Sequence, residues 1–239
     1  IVLNTAVAEE FRQFADRLEG TEDAEHFDRE VAAIIKETFT AHKRIIFNGN
    51  GYSEEWQKEA AERGLPNLVD SVEAYRHFTD AENIELLGRH GVMNLTEMSS
   101  RREIYFENYS KIINIEALTM IEMTMRDIIP AVNAYTGELA TAADVKSRLL
   151  PDGNCCKVER ELVARLSKLN ANTLALCERL KSAERKAAAE TDCEKMACAY
   201  RDNVIPLMEK LRAAVDEMET LTAAEHWPFP TYGQMMFRL

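Results

Sequence analysis

The stretch Leu162-Val163-Ala164-Arg165-Leu166-Ser167-Lys168-Leu169-Asn170-Ala171-Asn172-Thr173-Leu174-Ala175-Leu176-Cys177-Glu178-Arg179-Leu180-Lys181-Ser182-Ala183-Glu184-Arg185-Lys186-Ala187 decides the fold class. Leu162, Leu166, Leu169, Thr173, Leu176, Leu180, Ala183 and Ala187 alternate four and three apart, and seven of the eight are apolar. A repeat averaging about 3.5 residues keeps one stripe turned toward a partner helix, as in a coiled-coil seam. Leu166, Leu169 and Leu176 are therefore expected between long helices, with Lys168 on the opposite face.

Working outward, Pro151-Asp152-Gly153-Asn154 breaks the chain before this seam, and Thr191 with Glu194 reads as a capping box after it. Tyr200, Val204, Leu207, Leu211, Val215 and Met218 then continue the pattern. The two helices so delimited are each about 50 Å long. Matched lengths and a short link predict an antiparallel hairpin packed on a further long helix. That helix is read over about 97–149, roughly 80 Å. No glycine falls between Gly91 and Gly137, and Ile104, Ile112, Leu118, Ile121, Met125, Ile128, Val132, Tyr135 and Leu139 are assigned to one broad face. Pro130 is expected to kink it, since the ring removes a backbone donor and clashes with the preceding turn.

Residues before about Thr96 have another texture, with six of the nine glycines. Asn4 reads as the cap of a helix burying Val7, Phe11, Phe14 and Leu18, stopped by Gly20. A second helix carries Phe27, Val31, Ile34 and Ile35 toward His42. Asn48-Gly49-Asn50-Gly51 is a turn signal. Ser53 opens a short helix with Glu54 and Glu55 in its first turn, stopped by Gly64 and Pro66. Thr79 with Glu82 reads as a capping box for one more, ended by Gly91. At the far end a helix finishing near Ala224 gives way to Trp227-Pro228-Phe229-Pro230, which the prolines hold extended. Trp227, Phe229, Tyr232, Met235, Met236, Phe237 and Leu239 crowd the last residues. Burying one large apolar side chain is worth roughly 1.5–3 kcal/mol, so this tail is expected to dock in a groove of its own body or of a neighbouring subunit. The expected fold is mainly all-α: short helices with a turn-rich segment over 1–95, then over 96–239 long antiparallel helices forming a bundle or coiled-coil hairpin with a docking tail.

Composition agrees. In 239 residues there are nine glycines and six prolines, about half the average usage, which disfavours a turn-rich all-β fold. With 29 basic against 41 acidic side chains, the net charge of −12 argues against nucleic acid and anionic membranes as partners. No apolar run approaches the ~18 residues of a membrane span, and no signal peptide is visible. The start at Ile1-Val2-Leu3-Asn4 without Met reads as a fragment or processed product. Cys155, Cys156, Cys177, Cys193 and Cys198 make an odd set without paired spacing, which points to a reducing cytoplasm.

Chemistry-bearing motifs are few. His26, His42, His77, His90 and His226 show no His-x-x-x-His or Glu-x-x-His pair. Asp23 with His26 reads as a solvated face, and Cys155-Cys156 has no second cluster for zinc. Nucleotide-binding glycine loops and a nucleophile elbow are missing. His42 through Ser53 allows two readings. Either Lys43, Arg44 and the glycine turn meet a phosphate or carboxylate, or the segment is a tight hairpin or loop leading to a helix cap. Met120, Met123 and Met125 read as core filling. From its residues alone the chain is a helical interaction module rather than an enzyme.

Four stretches together carry a family resemblance: Val2-Leu3-Asn4-Thr5-Ala6-Val7-Ala8-Glu9, His42 through Ser53, Tyr109-Ser110-Lys111-Ile112-Ile113-Asn114-Ile115-Glu116-Ala117-Leu118-Thr119-Met120, and Trp227-Pro228-Phe229-Pro230-Thr231-Tyr232-Gly233. From end to end the chain resembles the C-terminal part of type III glutamine synthetase. The resemblance implies a parent glutamate–ammonia ligase that uses ATP and a divalent metal, Mg or Mn, and passes through γ-glutamyl phosphate. It implies a cytoplasmic homo-oligomer with a ringed assembly. Residues 1–95 would be the end of the catalytic domain, and 96–239 the helical extension of type III enzymes. No position matches the family's metal or substrate motifs, so catalytic, substrate-binding and metal residues are all none, and the chain alone is expected to be inactive. Lys43 and Arg44 are left as candidates for the rim of the active site. The alternative is a stand-alone helical scaffold or regulatory interaction module related to the synthetase tail. On the synthetase reading, Phe11, Phe14 and Leu18 evolved against a sheet outside this chain. Residues 1–20 are then expected to be mobile or covered by another copy.

Overall fold

A computed structural model describes residues 1–21, 23–150, 155–230 and 232–236. Among these every regular element is helical, joined by loops and turns, with no strand. Contacts divide it into two compact units, Ile1–Tyr105 and Phe106–Leu239.

The first unit is built from α1 (Val2–Leu18), α2 (Ala24–Ala41), a 3-10 turn at Lys43–Ile45, α3 (Glu54–Glu62), α4 (Ser71–Arg76) and α5 (Ala81–Arg89), followed by the start of α6 (Leu95–Met123). Ser53 caps α3 by accepting from the Trp56 amide at 3.3 Å, as its sequence predicts. Gly64 and Gly91 stop α3 and α5 at positive φ, 71° and 62°, which other residues rarely adopt. Two caps differ from expectation. Helix α1 begins at Val2, so Asn4 lies within its first turn. Asp80 rather than Thr79 precedes α5, and its carboxylate is engaged with His77 Nδ1 at 2.8 Å. Among the described residues Leu87, Met93 and Met98 form one core cluster of this unit, with Phe78 and Ile84 packed against them; Val72 and Ile34 are also buried, and Tyr75 stacks on Tyr105 at 5.1 Å.

The second unit contains the rest of α6, then α7 (Ile129–Leu149), α8 (Lys157–Ala188), α9 (Cys193–Ala199), α10 (Ile205–Leu221) and α11 (Tyr232–Met236). Helix α8 packs against both α7 and α10. Leu166, Thr173, Leu180 and Ala187, seven apart, are fully buried, and Leu176 is buried beside them. Leu162, Leu169 and Ala183 are half-buried and Lys168 is exposed, so the seam has its expected register. The break at Pro151-Asp152-Gly153-Asn154 lies outside the described residues. Helix α9 is capped by Asp192, accepting from the Lys195 amide at 2.9 Å, and not by Thr191; a carboxylate one residue on is the stronger partner for the helix N-terminus.

Both prolines of this unit that sit inside helical runs are accommodated by a π turn. Thr124–Ile128 precedes Pro130, and Tyr200–Val204 precedes Pro206. An α-helix there would press the proline ring onto a carbonyl that has lost its donor. Adding one residue to the turn lets Ile129 donate to the Thr124 carbonyl and Ile205 to that of Tyr200, and the helices continue. The run 97–149 is thus helical across Pro130, and the second widening lies where the pattern from Tyr200 to Met218 had been read as unbroken.

The broad face assigned to the long helix divides. Ile128 and Val132 are buried and Ile121, Tyr135 and Leu139 are half-buried, but Ile104, Ile112, Leu118 and Met125 are exposed. Ile112 and Ile121 are nine residues apart, about two and a half turns, and so lie on opposite sides. The side that packs is instead Tyr109, Ile113, Ala117, Met120 and Ile121.

The tail docks on its own unit. Trp227 and Phe229 pack against Ile128, Val132, Leu166 and Met218, and His226 Nε2 lies 3.1 Å from Glu138. Helix α10 ends at Leu221, three residues before the expected stop. The end is not extended throughout, since Tyr232–Met236 form the short α11, with Met235 and Met236 exposed. Phe237 and Leu239 lie outside the described residues.

Candidate functional site

In the first unit the amphipathic reading of α1 holds only in part: Phe14 and Leu18 are half-buried, as their spacing predicts, but Val7 and Phe11 are not. Its buried residues are Thr5 and Glu9, while Phe11 is 67% exposed and Val7 is also open to solvent. Glu9 is a node. Its carboxylate accepts from Arg12 Nε at 3.0 Å and Nη2 at 2.9 Å, from Gln13 Nε2 at 3.0 Å, and from Arg89 Nη1, and it lies 2.8 Å from His90 Nε2. These bonds, led by Arg12 and then Gln13, hold the carboxyl far below the usual range against an opposing effect of burial. A buried carboxylate left unpaired is strongly unfavourable, so the node fixes α1 on α5. Arg17 adds ion pairs to Glu30 and Glu37 of α2.

The sign of the acid response follows. Glu9 titrates in the unfolded chain near the ordinary value of about 4.3 and below it in the folded one. Its contribution is complete above that value and is lost as pH falls through it toward the folded pKa. Glu9→Gln is therefore expected to lose the pH dependence of first-unit stability below about pH 4, read from urea unfolding followed by circular dichroism. A variant with the same acid limb as the parent would show that the node is not the cause.

The segment His42 through Ser53 forms a loop leading to a helix cap, not a hairpin. Lys43 and Arg44 lie in the exposed 3-10 turn. The Arg44 carbonyl accepts from Arg63 Nη1 at 3.1 Å, as does that of Ile46 at 2.9 Å. Phe47 stacks on Trp56 at 3.9 Å, and the Arg63 guanidinium lies 5.4 Å from the Trp56 ring centroid. A Cβ at Gly49 would come within 2.6 Å of the Phe47 ring, which would have to shift on Trp56. The glycine turn is thus occupied by the chain's own aromatic ring. Among the described residues no three histidine, cysteine, aspartate or glutamate side chains converge as a metal site.

The second unit holds a polar column that the apolar pattern did not mark. Asn170, Cys177 and Glu184, seven apart on α8, are all buried. Asn170 Nδ2 donates to Asn133 Oδ1 at 2.8 Å and to the Ile129 carbonyl at 3.4 Å. Burial pushes the Cys177 thiol up, while a hydrogen bond with Thr124 acts the other way. The Tyr200 phenol is raised by its burial and then by the charge of Glu184. Thr124 and Tyr200 each open a π turn. This column fixes where α8 meets the two widened turns, since a single buried polar residue can set the register of packed helices.

Fold and site together define a mainly α-helical domain whose order comes from a long-helix bundle rather than from a catalytic constellation. The matches to known proteins are specific: residues 30–147 fit the family model of the glutamine synthetase C-terminal domain, and this chain belongs to that family. It is 41% identical over 209 residues to a glutamine synthetase of Butyrivibrio fibrisolvens, across 87% of this chain and 30% of that protein. It is 30% identical over 249 residues to a type-3 glutamine synthetase of Dictyostelium discoideum, and 29% over 255 to a glutamine synthetase of Bacteroides fragilis, in both cases across 99% of this chain and 33% of the relative. The chain spans about a third of the length of these relatives.

Proposed function

We propose that this chain is part of a type III glutamine synthetase, an ATP-dependent glutamate–ammonia ligase, and that it serves there in structure and assembly while the chemistry is done elsewhere in the protein. Similarity to enzymes about three times longer, running through 99% of this chain, is the observation that carries the reading. The open apolar face of α1 and the exposure of Phe27, Ile35 and Phe39 on α2 support it, since such surface in a folded protein marks an interface. On this reading residues 1–95 close the catalytic domain, and the helices beyond extend it. The parent is a cytoplasmic ringed homo-oligomer. On the same reading ATP and the divalent metal, Mg or Mn, are held by residues outside this chain. No helix here is long and apolar enough to cross a membrane.

Phosphoryl transfer depends on positioned metal and positive charge. The isolated chain is accordingly expected to show no ATP- and glutamate-dependent γ-glutamyl transfer. Activity that survives further purification would overturn the division of labour. A stand-alone helical scaffold is the competing reading, and the coding sequence upstream of Ile1 separates the two. An acidic, strand-rich region there supports the synthetase; an immediate start codon supports the scaffold.

A further inference from the structure

The second unit carries a groove of about 570 Å³ between α6, α10 and the docked tail. It has no part in the seam or in the proposed function. Four methionines, Met120, Met123, Met208 and Met235, line it together with Trp227 and Phe229. Along α6 and the π turn that follows it, the groove extends from Ile113 to Ile128, a span of roughly 22 Å. So small a volume over that length is a shallow trough, which takes side chains from one face of an elongated partner rather than a whole compact ligand. Methionine-rich walls reshape around different apolar side chains. Such a trough suits the apolar stripe of a helix, with anchors at i, i+3, i+4 and i+7.

The rim says what else that helix carries. Glu116, Glu209, Asp216 and Glu219 border the groove with one cation, Arg212. Asp216 is paired with Arg212 Nε at 2.5 Å. Among the described residues Glu116, Glu209 and Glu219 make no ion pair, so three uncompensated carboxylates surround an apolar floor. Like charges held around a low-dielectric surface attract a cationic partner and raise its rate of encounter. The face of Trp227 offers a further place for a cation. We infer that the α6–α10 groove is a docking site for an amphipathic helix of a protein partner that carries Lys or Arg beside its apolar stripe.

The test uses the full-length protein and labelled helical peptides of about 15 residues built from Leu and Lys, or from Leu and Glu, in the spacing above, read by fluorescence polarisation. The Leu/Lys peptide is expected to bind and the Leu/Glu peptide not to. Glu116→Gln, Glu209→Gln and Glu219→Gln together should weaken binding at least about tenfold. The same change at three exposed glutamates of the first unit, Glu10, Glu25 and Glu62, should leave it within about twofold. Equal losses in the two triple variants would show attraction by net charge alone and overturn the proposal, as would no loss in the groove variant or no binding at all. A gain of tenfold or more on deleting residues 232–239 would assign the groove to the chain's own terminus, and would also overturn it.

Discussion

Leu166→Ala is expected to destabilise the second unit by about 2–5 kcal/mol, while Lys168→Ala should change it by less than ~0.5 kcal/mol. Leu166 is fully buried on α8 and belongs to the cluster with Ile128, Val132 and Met218. Truncation there leaves a cavity that two partner helices, α7 and α10, would have to close together. Lys168 is two residues on and exposed. Leu169 is only half-buried, so its truncation should fall between the two. Urea unfolding of the three variants, followed by circular dichroism, gives the comparison. Equal effects at Leu166 and Lys168 would mean that α8 does not present this face to its neighbours.

Trp227→Ala should cost about 2–4 kcal/mol, the lower part of the range for truncating a large aromatic residue, because the ring is half-buried. Trp227 and Phe229 cover the cluster formed where α7, α8 and α10 meet, so their removal exposes Ile128 and Met218 to water. In a unit of this size each kcal/mol corresponds to several degrees, and a fall in Tm of about 8 °C or more is expected. Trp227→Phe, which keeps most of the apolar surface, should recover at least half of it. Deleting Trp227 onward should lower Tm at least as far. An unchanged Tm in both the alanine variant and the deletion would show that the tail does not dock.

Much of this architecture was legible beforehand because a seven-residue apolar repeat is a direct image of helix packing. The column from Leu166 to Ala187 needed only a partner on one side, and the tail announced itself by placing prolines beside aromatics. The polar half of the interface was not legible. Asn170, Cys177 and Glu184 repeat with the same period, but the groups beside them, Asn133, Thr124 and Tyr200, stand 37, 53 and 16 residues away, the last two at the start of a widened turn. The signal lies in Ile129-Pro130 and Ile205-Pro206, each inside a helical run and each needing relief from a proline; of the two, only Pro130 is read above as a kink. Glu9 was missed for a different reason. Helical periodicity assigns the inward side of α1 to Val7, Phe11, Phe14 and Leu18, of which Phe14 and Leu18 are half-buried, whereas the fully buried residues are Thr5 and Glu9. The groups that bury Glu9, Arg89 and His90, stand 80 and 81 residues further on, beyond the reach of helical spacing. Lys43 and Arg44 stand exposed, as a rim position requires, with Arg63 donating to the Arg44 carbonyl beside them.

The central claim, that residues 1–95 are the closing part of a larger domain, has a direct physical readout in amide hydrogen exchange. The account predicts that α1 and α2 exchange rapidly in the isolated chain, where the Glu9 node, the Arg17 ion pairs and a few apolar residues such as Ile34 anchor them. In the full-length protein, with Phe11, Ile35 and Phe39 covered, their protection should rise by about two orders of magnitude or more. Equal exchange of Val2–Leu18 and Ala24–Ala41 in the two proteins would contradict it.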